Sequence, residues 1–444
     1  MATCCVGLLR IDLDRRIVHL AIPALGTLAV EPLYVLVDTA IVGRLGTPQL
    51  AGLAIASTVL LTVVSLTAAL QYGLTPAVAF AHGRHDAREA RRAATTGLQL
   101  AAMLGVPMGL LLALSARWLC WLLGGRDDVL EHATTYLRIS AAGLPFVLVA
   151  YVGHGVMRGV NQLRLPLVLV VVANIVNLFL EIIAVYWLDL GIAGSAWSTV
   201  VVQMFAAFAF IGIMRPHLTR LRPTWDRIRP VLVSGRHFAV RSLAMFAVWN
   251  SATFVAARID TPTLAANQVL TQLFILLALV LDALAIPAQS LVAGALGAGS
   301  PQQATLVGHT SARLSLWAGG TLAVLLVTVS PFAPHLFSSD AAVQSRLTAG
   351  LLILAVMQFP GAVAFAYDGA LIGAKDERWL GRQAVFNLLG FLPLAAATLV
   401  APSLGLAGLW GAQLAWMVLR AAVNRRRWQR LSGHAFSPLT LAPA

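Results

Sequence analysis

The chain has 444 residues, of which 59% are hydrophobic and only 11% are charged, with a formal net charge of +13 at pH 7. A soluble globular domain has about 25% charged residues, so this composition excludes that class and indicates a chain surrounded by lipid. The arginines lie in short connections between apolar runs, not on one polar face, so the charge does not indicate nucleic-acid binding.

Apolar runs of about 20 residues recur along the whole chain. In hydrocarbon only helices and closed barrels bond all their own backbone groups, and the alternation of a barrel is absent. The first run is too long, and lacks a small-residue cleavage site, for a removable signal peptide. The sequence predicts twelve spans with both termini on one side, at residues 17–43, 51–81, 93–123, 131–157, 165–188, 191–214, 232–257, 265–296, 307–333, 345–371, 379–401 and 404–424.

The first span carries Glu31, Tyr34 and Asp38, which follow one another at helical spacing and share one face. Pro32 interrupts the local hydrogen-bond ladder and allows a bend. A carboxyl group in hydrocarbon costs several kcal/mol unless it is neutralised, partnered or hydrated, so each one is a functional candidate.

The fifth span carries Asn177 and Glu181, one helical turn apart on one face. Counting about 1.5 Å per residue from the outer helix ends places Asp38 and Glu181 at similar depth. Tyr136 and Thr199, in the fourth and sixth spans, fall at the same depth. We therefore expect a polar layer in the outer half of the first six helices, with Asp38, Asn177 and Glu181 at its centre and Glu31, Tyr34, Tyr136 and Thr199 around them.

An internal repeat organises the chain. The sequence RLGTPQLA at residues 44–51 aligns with RIDTPTLA at residues 258–265, with five identities in eight at an offset of 214. Six helices per copy is an even number, so the copies run in the same direction, as in parallel repeats of transporters. The predicted fold is an all-α membrane protein whose 12 transmembrane helices form two six-helix lobes, with a lobe at 1–214, a basic cytoplasmic linker at 215–231, a second lobe at 232–424 and a cytoplasmic tail at 425–444.

The two copies differ in their carboxyl groups, because Ala252 and Ala395 stand where the first copy has Asp38 and Glu181. The acidic site therefore belongs to the first lobe alone. A buried carboxyl pair can exchange a proton near neutral pH. Binding of Na⁺ by the same oxygens is the alternative, because hard cations take oxygen ligands.

The second copy has its own polar candidates inside predicted spans. Asp282 lies near mid-helix and Gln289 lies two turns further along, and we expect both to line a central cavity. Asp368 lies near the inner end of the tenth span, where a cavity role and a structural helix-end role are both open.

Arginines concentrate in alternate connections, which by the positive-inside rule are cytoplasmic together with both termini. The segment from Arg215 to Arg229 has the most arginines, and the sequence favours a positively charged connector lying against anionic membrane lipid there.

The sequence contains no nucleotide-binding lysine loop, no HExxH and no GxSxG, so it predicts neither an ATPase nor a hydrolase. Three cysteines without metal-ligand spacing predict no metal site and no disulfide framework.

Three segments carry a resemblance to a known family: VDTAIVGRLG at 37–46, LDALAIPAQ at 281–289 and DGALIGA at 368–374. With Met157-Arg158-Gly159 and the Asn177-xxx-Glu181 pair, they resemble the multidrug and toxic compound extrusion (MATE) family, and its DinF-like branch in particular. The resemblance covers residues from about 12 to 430. It implies a two-lobe antiporter that exports amphipathic or cationic organic compounds in exchange for H⁺ or Na⁺. The high arginine, alanine and leucine content is typical of a bacterial genome rich in G and C, so the expected location is the bacterial inner membrane.

Carried over by position, Asp38 matches the acidic residue of the family's first helix, and Asn177 and Glu181 match its Asn-xxx-Asp pair. Here glutamate replaces aspartate, so one extra methylene displaces the carboxylate. Gln289 stands where the DinF pattern has glutamate. The seventh-helix glutamate of the sodium-coupled branch has no counterpart in 232–257, which favours protons. The expected partners are a small-molecule substrate and membrane lipids, and no cofactor is expected beyond the coupling ion. An oligomer is not expected to be required.

Two other functions are weighed against export. Flippases for a lipid or a lipid-linked sugar commonly have a cationic central cavity, whereas the membrane-embedded charges here are mainly carboxylates. A channel or receptor is disfavoured by the two-lobe repeat. We therefore expect a proton-driven secondary antiporter.

Overall fold

The computed structural model describes residues 2–401, 404–434 and 436, and within these the side chains from residue 11 onward except residue 31. Helices and short turns make up this part of the chain, without a strand. Its α-helices are α1 (Ala2–Gly43), α2 (Thr47–Thr67), α3 (Ala69–Gly83), α4 (Ala87–Leu122), α5 (Asp127–Ala141), α6 (Leu144–Gly159), α7 (Arg164–Ile182), α8 (Gly191–Met214), α9 (Trp225–Ile259), α10 (Thr261–Gly297), α11 (Pro301–Val329), α12 (Ala333–Phe337), α13 (Ala341–Gly373), α14 (Glu377–Val400) and α15 (Gly405–Gly433).

The predicted fold class is confirmed. The described residues contain 11 helical stretches that are long and apolar enough to cross a membrane. A twelfth span is obtained when α5 and α6, which meet at a bend of 50°, count as one. Most helices extend beyond the predicted spans. Among them, α9 begins inside the predicted connector, and α15 continues nine residues into the predicted tail, where Trp428 is buried against Gly308.

The 214-residue repeat is visible in the backbone. Residues in the left-handed region recur at that offset: His85 and Gly299 have φ of 56° and 72°, and Asn161 and Lys375 both have φ of 58°. Gly191 and Gly405, with φ of 55° and 49°, directly open α8 and α15 in the two copies. An L side chain rarely adopts this conformation, so both glycines suit these helix starts.

The copies differ in where their helices break. In the first copy α2 gives way to α3 at Ala68, and α5 gives way to α6 at Ala142 and Gly143. The corresponding helices of the second copy, α10 and α13, are continuous, although each contains an internal proline. The irregular backbone is thus concentrated in the first copy.

The chain divides into two compact units, Gly26–Gly235 and Met1–Leu25 together with Arg236–Ala444. We call them the N-unit and the C-unit. The first 25 residues group with the C-unit, whereas the sequence prediction assigned them to the first lobe. Within the C-unit an exposed ion pair between Arg313 and Asp14, 2.5 Å apart, joins the start of α1 to α11.

Each unit has its own apolar core. The described residues of the N-unit form one cluster around Leu74, Val152 and Phe210 and another around Val42, Leu137 and Ala196. The C-unit has a larger cluster among its described residues, built around Trp410, Trp416 and neighbouring residues of α9, α10 and α13. Helix packing in a membrane depends on close van der Waals contact, and these clusters supply it.

A buried carboxyl pair in the N-unit

Asp38 and Glu181 lie on two helices of the N-unit, α1 and α7. Directly after Glu181 and Ile182, a π-helical segment, Ile183–Trp187, continues α7. Such segments are rare and are frequent at functional sites. Tyr186 in this segment donates a hydrogen bond of 2.9 Å to the carbonyl oxygen of Ile41, which links the segment to the helix that carries Asp38.

The Asp38 carboxylate is 5% exposed and accepts a hydrogen bond of 2.6 Å from the Ser195 hydroxyl. Ser195 is itself fully buried, in the first turns of α8. A hydroxyl that donates to a carboxylate stabilises the ionised form, because the bond is charge-assisted. The bond also holds the position of the carboxylate.

Glu181 is fully buried, and neither of its carboxylate oxygens has a hydrogen-bond partner among the described residues. Asp38 and Ser195 lie close enough to interact with it electrostatically. Asn177, one turn earlier on α7, is also buried and both of its amide atoms lack a hydrogen-bond partner within the described ranges. Buried polar groups left without partners are costly, so these oxygens and amide atoms are suited to a bound proton, cation or water.

Two tyrosines complete the cluster. The Tyr34 hydroxyl lies 2.8 Å from the Thr199 hydroxyl, which donates to the carbonyl oxygen of Ser195 at 3.0 Å. Tyr136 on α5 is buried and interacts electrostatically with Asp38, Glu181 and Ser195. In the part of the chain that the structure describes, no salt bridge involves Asp38 or Glu181.

The structure therefore brings together Tyr34, Tyr136, Asn177 and Thr199 with the two carboxyls. The side chain of Glu31, which was also predicted for this layer, lies outside the described part of the structure. Sequence reasoning missed Ser195, although a signal was present: Ser195 lies one helical turn before Thr199 and so shares its face.

The repeat equivalents of the carboxyls in the C-unit are buried alanines, Ala252 and Ala395. Large aromatic rings pack at neighbouring positions. The ring centroids of Trp249 and Phe274 are 4.5 Å apart, and those of Trp249 and Trp410 are 6.2 Å apart. An aromatic core thus occupies the part of the C-unit that corresponds to the acidic cluster.

Asp368, a candidate in the C-unit, is buried and pairs with two arginines. Arg241 donates to it at 2.7 Å, Arg420 donates to the same carboxylate oxygen, and Asn424 donates to the other oxygen at 2.7 Å. Arg420 is also buried and interacts electrostatically with Asp282, which is half-buried. We call Asp368, Arg241, Arg420 and Asn424 the C-unit ion-pair network. Gln289, seven residues after Asp282 on α10, is buried.

Comparison with known proteins shows which family this chain belongs to. The family model MatE matches residues 23–183 and 239–404, one segment in each copy of the repeat. The chain belongs to the MATE family of multidrug and toxin extrusion transporters. Members are multi-pass membrane proteins that move small molecules, which agrees with the predicted class.

Two relatives and one solved structure illustrate the similarity. Protein DETOXIFICATION 44, chloroplastic, of Arabidopsis thaliana is 30% identical over 426 residues, which cover 93% of this chain and 81% of the relative. DNA damage-inducible protein F of Escherichia coli K12 is 28% identical over 433 residues, which cover 94% and 93%. A crystal structure of MATE in the bent conformation shares the fold, with a TM-score of 0.88, 22% identity and coverage of 97% of this chain and 98% of that one.

Proposed function

We propose that this MATE transporter is a cation-coupled secondary antiporter, driven by H⁺, that exports amphipathic or cationic organic compounds. The observation that carries the proposal is the buried pair Asp38 and Glu181, which lies among hydroxyl and amide groups without a paired basic side chain in the described residues. A carboxyl pair in this environment gains by taking up a proton, because two neighbouring ionised carboxylates repel each other.

Proton uptake changes the hydrogen bonding of the cluster. In the structure the Ser195 hydroxyl donates to Asp38. A proton taken up by the pair can be shared between Glu181 and Asp38, and the repulsion between them is then removed. A change of this kind biases a bistable element such as the irregular α7 segment that follows Glu181. Each proton moving down the gradient contributes about 2.3 kcal/mol per 100 mV of membrane potential.

Na⁺ is the alternative coupling ion. The carboxylate oxygens of Asp38 and Glu181, the Asn177 amide oxygen and the Ser195 hydroxyl are all hard donors of the kind that Na⁺ accepts. The unpartnered oxygens of Asn177 and Glu181 support this alternative as much as they support protons. Only transport at varied Na⁺ and pH separates the two ions.

The test uses purified protein in proteoliposomes, with a fluorescent organic cation as the substrate and an imposed pH gradient. Asp38→Asn and Glu181→Gln should each lower gradient-driven accumulation at least about tenfold, since a neutral side chain cannot release the proton. Glu131→Gln removes an exposed carboxylate of the same unit and should transport like the unchanged chain. Undiminished accumulation in both Asp38→Asn and Glu181→Gln would refute coupling through this site. A requirement for external Na⁺ at constant pH would replace H⁺ by Na⁺.

We propose further that the protein lies in the bacterial inner membrane with both termini in the cytoplasm, works without a cofactor beyond its coupling ion, and needs no oligomer. The arginine-rich alternate connections support this orientation. Labelling of single cysteines placed at residues 222 and 426 should occur only from the cytoplasmic side. Labelling of either from the opposite side in intact cells would reverse the orientation.

A further inference from the structure

The connector that follows α8 is held against the N-unit. A 3₁₀ turn, Arg215–His217, is followed by residues 218–224 without regular structure, and α9 begins at Trp225. The Thr95 hydroxyl on α4 accepts a hydrogen bond from the Thr219 backbone N–H at 3.0 Å and donates to the Thr219 carbonyl at 3.2 Å. Gln99 donates to the carbonyl oxygen of Leu221 at 2.8 Å. These bonds lay the connector along the third and fourth turns of α4.

This docking gives the connector two faces. Leu218 packs against the apolar core of the N-unit and Leu221 is half-buried. Arg220 and Arg222, which flank Leu221, are exposed. Arg227 and Arg229, on the first turn of α9, are exposed as well, on either side of the buried Ile228. The connector thus directs its arginines outward from a fixed backbone.

The positive face continues onto the loop between α3 and α4. His217 interacts electrostatically with His82 and Arg91, so the two segments are neighbours. Arg84, Arg88, Arg91 and Arg92 are all exposed there. We call residues 82–92 and 215–229 the basic surface; together they contain nine arginines and three acidic residues.

Two of the three acids already have local partners. Asp86 caps α4 by accepting from the backbone N–H groups of Arg88 and Glu89, and Glu89 pairs with Arg92 at 3.6 Å. No salt bridge among the described residues involves an arginine of the connector. The basic surface therefore presents an excess of positive charge that the described part of the chain does not neutralise.

The surroundings of this charge point to a lipid partner. The basic surface lies at the ends of α4, α8 and α9, all of which are membrane spans, and so at the level of the lipid headgroups. Trp225, 66% exposed, stands among the arginines. Exposed tryptophan next to arginine is typical of a segment at the membrane interface, where the ring meets the acyl chains and the guanidinium meets phosphate.

We propose that the basic surface is a binding site for anionic phospholipid headgroups of the adjoining leaflet. The docked connector holds Arg220 and Arg222 outward, so binding does not require ordering a flexible segment at that moment. Guanidinium groups hold phosphate by paired hydrogen bonds, and charge attraction to an anionic leaflet adds to this. This site is independent of the coupling ion and of the exported compound.

The test measures binding of fluorescent phosphatidylglycerol, and of phosphatidylcholine with the same label, to the purified protein in dodecyl maltoside micelles at 50 mM and 300 mM salt. The unchanged protein should bind phosphatidylglycerol more tightly, and high salt should weaken that binding. Arg220→Gln combined with Arg222→Gln should weaken phosphatidylglycerol binding between about 5-fold and 30-fold. Binding of phosphatidylcholine should not change.

A matched control removes the same charge elsewhere. Arg426→Gln combined with Arg430→Gln alters two exposed arginines of α15 and should leave phosphatidylglycerol affinity within about twofold. Trp225→Ser leaves the charge unchanged and should weaken binding less than the connector arginine pair. Equal loss from both arginine pairs, equal affinity for the two lipids, or displacement of the lipid by 10 mM inorganic phosphate would each overturn a headgroup site at the basic surface.

Discussion

Each unit of this transporter buries acidic side chains among its helices, but the side chains that surround these acids differ in charge. In the N-unit, Asp38 and Glu181 lie beside each other, and Asp38 accepts a hydrogen bond from the neutral Ser195 hydroxyl. In the C-unit, Asp368 is held by Arg241 and Arg420. Burying an ionised carboxylate among neutral groups in hydrocarbon is costly unless the carboxylate takes up a proton or a cation. A carboxylate between two arginines already has its charge compensated. Burial alone therefore does not distinguish the two kinds of acid; the partner does.

The largest effect is expected when the C-unit network loses its only carboxylate. Asp368→Leu leaves Arg420 buried beside Arg241 without their shared partner, which should lower the free energy of unfolding by about 3–5 kcal/mol. The measurement is the midpoint of thermal unfolding in detergent. Removing one cation as well, in Asp368→Leu with Arg420→Met, should recover part of the loss. A double variant less stable than the single one would contradict the charge-balance account.

Transport by a network that has lost one acid and one base separates the two units most directly. Asp368→Asn combined with Arg241→Gln removes one acid and one base, and should retain gradient-driven transport to within about threefold, because the network is structural. Asp38→Asn should lose it. Proteoliposomes with an imposed pH gradient give the measurement. If this double variant loses coupling while its unfolding midpoint is unchanged, the C-unit acid takes part in coupling and the contrast between the units fails.

A smaller effect is expected at the hydroxyl that touches Asp38. Ser195→Ala removes a hydrogen bond to the ionised carboxylate, worth about 1.5–3 kcal/mol for a charged partner. Transport should fall about tenfold and its pH dependence should move to higher pH, since the ionised form loses its donor. Ser195→Thr keeps the hydroxyl and should restore the original pH dependence. A lower rate with an unmoved pH profile in Ser195→Ala would leave Ser195 a packing residue only.

The smallest effect concerns a helix start that the two copies build differently. Asp260 caps α10 by accepting from the Thr263 N–H at 2.7 Å and pairs with Arg346 at 2.8 Å, whereas its repeat equivalent before α2 is Gly46. Burial acts to raise the pKa of Asp260, but the bonds from Thr263 and the charge of Arg346 outweigh it, so the pKa is lowered. Asp260→Asn should cost about 0.5–1 kcal/mol of stability.

The lowered pKa of Asp260 sets how its contribution to stability depends on pH. A lowered carboxyl pKa stabilises the folded state above the ordinary value of 3.8, and that stabilisation is lost as pH falls below it. Thermal midpoints of the unchanged chain and Asp260→Asn should therefore differ at pH 7 and converge toward pH 3. A difference that persists at pH 3 would show that the backbone cap, not the charge, is responsible.

The sequence by itself determined the membrane class, the spans and the repeat, because hydrocarbon enforces long apolar helices and a repeated unit leaves a constant offset. It also determined that the acids at 38 and 181 have no counterpart in the second copy, since that is read directly from Ala252 and Ala395. The faces of α1 and α7 were predictable because helical spacing fixes which residues project together.

Tertiary structure decided the partners. Ser195 reaches Asp38 across 157 positions of sequence, and Arg241 and Arg420 reach Asp368 from α9 and α15. Helical periodicity specifies a face but not which neighbouring helix covers it, so neither contact could be read from spacing. The same limit explains why sequence treated Asp368 as a cavity candidate as readily as a structural group. Whether a buried carboxylate meets a hydroxyl or a guanidinium depends on helices packed from distant parts of the chain.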